Sequence, residues 1–211
     1  MVLSLLSDPT TLVISAVIMI FALMFHNVVQ AWMASRYGDP NPRLSGFMTF
    51  EPQQHLEPIG VLFLFLLGFG WPRKVTVNSR NYRGRGRQEA LVWYSGPVAY
   101  LIIGFLCTLA GAIFLTVGNV DLFRSFRITA SFATIHAIIN LFPVLPLDGA
   151  YALLALGNPS AKRFMAEINR FGILGFIVFF LALSLLGVIR RLQMLFEVLF
   201  DLIIGLIPGL L

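Results

Sequence analysis

An all-α membrane protein, a multi-pass helix bundle of about five or six apolar segments, is the fold class that three features of this sequence predict. Of its 211 residues, 58% are hydrophobic and only 12% are charged, and the mean hydropathy is +0.85. Soluble domains carry about 25% charged residues, so half that share points to lipid as the solvent. The apolar residues fall in runs near the roughly 20 residues that cross a bilayer core. The basic residues collect at the ends of those runs, six of the fifteen between Arg73 and Arg87. Short basic loops beside spans mark the cytoplasmic side of a cell-membrane protein, so the net charge of +5 reads as topology, with lipid-headgroup contact as the lesser alternative. Nucleic acid is excluded as a partner. Cys107, the lone cysteine, lies mid-span and reads as a small core residue, leaving neither a disulfide framework nor a thiolate cluster.

Each element follows in order. Residues 11–37 are long enough to cross with some tilt, and no Lys or Arg precedes Arg36, so the first segment is expected to be retained as a span. Its Arg36 end is then cytoplasmic. Residues 38–58 carry Pro40, Pro42, Pro52 and Pro58 with an alternating Phe47-Met48-Thr49-Phe50, which predicts irregular backbone with one short β segment. Ile59–Trp71 is apolar but only thirteen residues long, so it either borrows flanking residues to cross or re-enters, and the sequence leaves both open. Arg73–Arg87 is the basic loop.

Residues 90–117 form a clear span interrupted by Ser95-Gly96-Pro97, where a proline frees a backbone carbonyl and kinks the helix. Gly104 and Gly111 on the same span allow close helix approach. Residues 128–141 form the next helix, which breaks at Pro143-Val144-Leu145-Pro146 and resumes to about residue 156. Residues 171–189 are a strong span closed by Arg190-Arg191. The last segment, 192–211, carries Glu197 and Asp201 on one face and reads as an amphipathic helix at the interface or packed on the bundle.

Two places depart from a plain bundle. His26-Asn27-Val28-Val29-Gln30 puts three polar side chains in five residues, although lipid excludes unpartnered polar groups. His26 and Gln30 share one helix face, the spacing by which H-E-x-x-H helices offer two imidazoles to one zinc ion. Here Asn27 and Gln30 stand at the glutamate and second histidine positions. The other place is Asp148, a lone carboxylate at the helix break, whose simplest role is to cap the helix that follows.

Taken together, the motifs resemble the site-2 protease family of intramembrane zinc metalloproteases. The series runs from the His26-led motif through Gly38-Asp39-Pro40, His55-x-Glu57-Pro58-x-Gly60, Gly68-Phe69-Gly70-Trp71, Val77-Asn78 and Ser95-Gly96-Pro97. It ends in Asn140-x-x-Pro143-x-x-Pro146-Leu147-Asp148-Gly149, covering roughly residues 20 to 155. The resemblance implies one membrane-embedded domain over 1–211, with a protease-like core at 11–157 and additional C-terminal helices at 158–211. It implies that His26 and Asp148 match the first and third zinc ligands, Gln30 the second and Asn27 the catalytic glutamate. Asn140, Gly96 and Pro97 match positions associated with substrate.

The departures fall on the chemistry. An amide at 27 is no base, and Gln30 offers only a neutral carbonyl oxygen where zinc prefers imidazole, thiolate or carboxylate. Tyr100 stands where the family's Gly-Pro-x-x-Asn phrase has asparagine, and Leu145 replaces a common proline. His55 and His136 are possible alternative ligands, or else ordinary hydrogen-bonded histidines. The expectation is a protease homologue without peptidase activity, zinc weak or absent, that binds the lipid bilayer and transmembrane segments of client proteins. The alternative is an active intramembrane zinc metalloprotease with an altered or experimentally substituted motif; a transporter or channel is a remoter one. Convergence of His26, Gln30 and Asp148 is the geometric expectation on which both of the first two depend.

Overall fold

Prolines and short polar caps decide where the helices begin. The computed structural model describes residues 7–84 and 86–210. Helix α1 spans Pro9–Arg36; Pro9 opens it, and the Asp8 carboxylate accepts from the Thr11 N–H at 3.1 Å and the Thr11 hydroxyl at 2.6 Å. These two bonds hold the Asp8 carboxyl below its usual range. Two short helices follow, α2 at Asn41–Leu44 and α3 at Pro52–His55, and then α4 at Pro58–Leu67, which ends at Gly68 in the left-handed conformation (φ 78°). Residues 71–78 carry no regular structure beyond a bridge at Pro72 and lead to a 3-10 turn at Ser79–Asn81.

Helix α5 spans Gly86–Thr116 and carries Pro97 inside it; α6 spans Val120–Leu141. The chain breaks at residues 142–147 and resumes as α7 at Asp148–Ala155. Helices α8 at Pro159–Asn169, α9 at Gly172–Leu185 and α10 at Val188–Gly205 complete the described chain.

Among the described residues two helices, α1 and α5, are long and apolar enough to cross a membrane, and a third span exists if residues 177–185 of α9 and α10, bent by 64°, count as one. The apolar segments are therefore helical as expected, with fewer of them long enough to span. Helix α4, at ten residues, covers about 15 Å, half of a hydrocarbon core. The alternating stretch 47–50 is turn rather than strand, because Gly46 at φ 82° and the Pro52 start of α3 leave no room for a ladder. The only pairing among the described residues is one antiparallel bridge, Leu56 to Pro72.

Helices α1, α5 and α6 share a core of Met19, Leu23, Tyr100, Ile103, Phe132 and several alanines. With no hydrophobic drive between helices in lipid, close packing and polar pairs must hold them. Thr11 meets the Ser125 hydroxyl at 2.7 Å and, one turn on, Ser15 meets the Thr129 hydroxyl at 2.8 Å, all buried. Helix α7 packs on α5 through Ala152, Ala90 and Trp93. Helix α10 lies against α6: Arg127 forks onto both Asp201 oxygens at 2.5 and 3.1 Å, and the Gln193 amide bonds the Ser131 hydroxyl.

Candidate functional site

The polar stretch of α1 and the carboxylate of α7 do converge. His26 Nε2 lies 2.6 Å from Asp148 Oδ2, across 122 residues of sequence, and both side chains are buried. Asp148 is the first residue of α7, and the position before it, Leu147, makes no side-chain cap. The capping role is thus not what the carboxylate does; it turns inward to His26.

Asn27 fixes the protonation pattern of this pair. Its Nδ2 donates to the Arg73 carbonyl at 2.8 Å, which turns its Oδ1 toward His26 Nδ1 at 3.0 Å. An amide oxygen only accepts, so Nδ1 carries the hydrogen, and the short Nε2–Oδ2 contact then holds one proton of its own. The outcome is a relay from the Arg73 carbonyl through Asn27 and His26 to Asp148.

Gln30 also has a backbone partner, supplied by Pro97. A proline inside a helix cannot donate to the carbonyl four residues back, here that of Trp93. Gln30 Nε2 lies 3.3 Å from that oxygen and satisfies it. The approach of α1 to α5 at this level requires glycine: a Cβ on Gly96 would collide with His26 Nε2 and Gln30 Nε2. Gly96 and Pro97 are therefore packing and carbonyl-freeing positions against the site, both buried.

The other sequence-selected residues are placed separately. Asn140 donates to the His136 carbonyl one turn back on α6, at 2.9 Å. His136 uses both ring nitrogens, Nδ1 donating to the Phe132 carbonyl at 2.8 Å and Nε2 accepting from the Gly70 N–H at 3.1 Å. His55 donates from Nε2 to the Thr49 carbonyl at 2.7 Å, and its buried Nδ1 has no partner among the described residues. Burial lowers the His55 pKa below the usual imidazole value, and its bond to Thr49 only partly offsets this.

Sequence reasoning passed over two contributors, the Arg73 and Trp93 carbonyls, and gave no contacts for two residues it had named, Tyr100 and Asp39. The Arg73 and Trp93 carbonyls take the two amides; only Trp93 could have been found, by counting four residues back from Pro97. Tyr100, fully buried, has its ring 4.8 Å from that of His26 and 5.5 Å from that of His136, with a hydroxyl that has no partner among the described residues. Asp39 gathers the Asn78 N–H at 2.7 Å, the Asn81 amide at 2.8 Å and the Asn41 N–H at 3.1 Å, which explains why Gly38-Asp39-Pro40 and Val77-Asn78 occur in one chain. Burial, with the Asp39 charge beside it, pushes the Tyr82 phenol well up.

The donor set does not fit a zinc site of the H-E-x-x-H kind. His26 Nε2 is paired with Asp148, Gln30 offers only a neutral amide oxygen, and no group of three His, Cys, Asp or Glu side chains converges among the described residues. The described site pairs His26 with Asp148 and ties its two amides to backbone carbonyls.

The described residues form an apolar, all-α, membrane-like bundle that joins a histidine of its first helix to an aspartate at a later helix break. The comparisons with known proteins place it further. It is 29% identical over 169 residues to Putative zinc metalloprotease YwhC of Bacillus subtilis, covering 77% of this chain and 77% of the relative. It is 26% identical over 171 residues to Putative zinc metalloprotease Rip2 of Mycobacterium tuberculosis, covering 79% and 66%. Rip2 of Mycolicibacterium smegmatis is 26% identical over 164 residues, covering 75% and 63%. The chain is thus a homologue of proteins named as zinc metalloproteases, of the site-2 protease type, as its motif series implies. No protein-family model matches it, and no solved structure gives a significant match.

Proposed function

We propose that this chain is a site-2-protease-like membrane protein that binds transmembrane segments of client proteins without cutting them. One observation carries the reading: the group at the place of the catalytic base is an amide whose nitrogen bonds the Arg73 carbonyl. A metal-bound water needs a nearby acceptor for its proton, and an amide so engaged supplies none. Zinc binding is weak or absent on this reading, since the second ligand position holds Gln30, whose neutral amide oxygen replaces an imidazole. The bundle is multi-pass in a cell membrane, residues 11–157 form its protease-like core, and the Arg73–Arg87 loop is cytoplasmic.

The test is metal content and proteolysis together. The unaltered chain, purified without added metal, is expected to hold far less than one zinc per molecule and to leave a model transmembrane substrate intact. Loss of the base alone costs about two to four orders of magnitude in rate. The double change Asn27→Glu with Gln30→His is expected to raise zinc binding, and Asp148→Ala to abolish that gain. Stoichiometric zinc with chelator-sensitive cleavage by the unaltered chain would overturn the reading. That result would favour the second one, an active metalloprotease with an altered ligand set, which the names of the relatives and the approach of His26 to Asp148 support.

A further inference from the structure

Two residues that the sequence offers for chemistry, Asn27 and His136, are used here in another way, since the side chain of each bonds the backbone of residues 70–78, and His55 adds its backbone carbonyl. Gly70 N–H donates to His136, Arg73 N–H to the His55 carbonyl at 2.6 Å, and the Arg73 carbonyl accepts from Asn27. Arg73 Nε donates to the Leu56 carbonyl at 3.0 Å, and Asn78 N–H to Asp39 at 2.7 Å. Among the described residues only one bridge, Leu56 to Pro72, gives the segment a strand partner, so side chains and α3 hold what a sheet normally would.

The segment also joins the two walls of the His26–Asp148 site. On the α1 side, Asn27 holds it next to His26, and Val75, 1% exposed, packs on Ala31 and Phe47. On the α7 side, the Lys74 ammonium sits 3.7 Å above the Tyr151 ring, three residues past Asp148, and 5.6 Å from the Trp93 ring. Beside it opens a cleft of about 410 Å³ lined by Ser79, Gly86, Glu89, Tyr151, Leu154 and Ala155.

We propose that residues 70–78 are a strap closing the His26–Asp148 site, and that Asn27 is its latch, a positioning residue rather than a vestige. The latch needs an amide. The Asn27 amide both donates to the Arg73 carbonyl and accepts from His26 Nδ1, whereas a carboxylate at 27 has no N–H and would face a carbonyl oxygen. Strap position and the His26–Asp148 contact are therefore coupled through one side chain. This does not rest on the chain being inactive, and holds equally for a working enzyme.

The experiment is hydrogen exchange on the full chain in detergent micelles, read by mass spectrometry, alongside carbethoxylation by diethyl pyrocarbonate. The chain has only three histidines, so the modified site is read directly. Asn27→Asp, which removes the donor at constant size, should speed exchange across residues 70–78 on the order of tenfold, as expected for one buried hydrogen bond, with the middle of α5 unchanged. Lys74→Ala leaves Asn27, His26 and Asp148 and their hydrogen bonds untouched and opens only the α7 side; it should speed the same amides about two- to fivefold. Because Asn27 also bonds His26, modification of His26 is read in Lys74→Ala, where it should rise with strap opening. Unchanged exchange in both variants, or a rise spread evenly over the bundle, overturns the strap. Faster strap exchange with His26 still unreactive overturns its role as a closure. If Asn27→Asp does not fold, Lys74→Ala decides alone.

Discussion

Asp148 and Asp201 each meet a basic partner from a distant helix, and the two contacts sit in regions of opposite character. The His26–Asp148 side chains are 5% and 9% exposed, inside the bundle of α1, α5, α6 and α7. The Arg127–Asp201 side chains are 31% and 44% exposed, where α10 leans on α6. Helix α9, which leads into α10, has no fully buried described side chain, although it is as apolar as any segment here. Hydropathy alone would rank α9 with α1. What separates them is the placement of polar and small residues. In α1 Thr11, Ser15, His26, Asn27 and Gln30 are buried and partnered, whereas α9 meets the bundle through part-buried apolar side chains such as Phe179 and Phe180.

The sharpest way to break this comparison is to truncate both carboxylates. Asp148→Ala leaves a buried imidazole without its partner and should lower stability by about 3–5 kcal/mol. Asp201→Ala removes a half-exposed pair and should cost about 1 kcal/mol or less. Unfolding in mixed detergent micelles measures both, and equal losses would mean that burial does not set the difference. Next in size is Gly96→Ala, where the added methyl meets His26 and Gln30; overpacking of this kind costs about 1–3 kcal/mol. The same measurement checks it, and an unchanged midpoint would show that α1 and α5 have room to separate at the site.

The smallest effect is a pH dependence outside the spans. Burial holds the His55 pKa below its unfolded value of about 6.5, so above that pH both states are neutral and the stability contribution is fully present. As pH falls below about 6.5, the unfolded chain takes up the proton first and stability declines through the folded pKa. His55→Gln should remove that part of the slope. If the difference between wild type and variant is flat from pH 7 to 5, His55 is not held neutral by the fold.

Much of the architecture was readable because lipid imposes simple rules. Runs of apolar residues had to be helical, Pro97 had to free a carbonyl, and the break at Pro143–Pro146 had to end a helix; each follows from backbone hydrogen bonding without knowledge of neighbours. The approach of His26 to Asp148 was legible only through the motif series. Phe47-Met48-Thr49-Phe50 misled, since alternation says nothing about whether a strand partner exists.

By itself, then, the sequence determined the solvent, the helices, their breaks and the residues that could not stay unpartnered in lipid. Which partner each one took was decided by the tertiary structure. Asn27 and Gln30 look from the sequence like lost catalytic groups, yet a backbone carbonyl 46 residues away and another 63 residues away occupy their nitrogens. A buried polar group must be satisfied by whatever the fold brings within about 3 Å, and that neighbour is not encoded in the residues beside it.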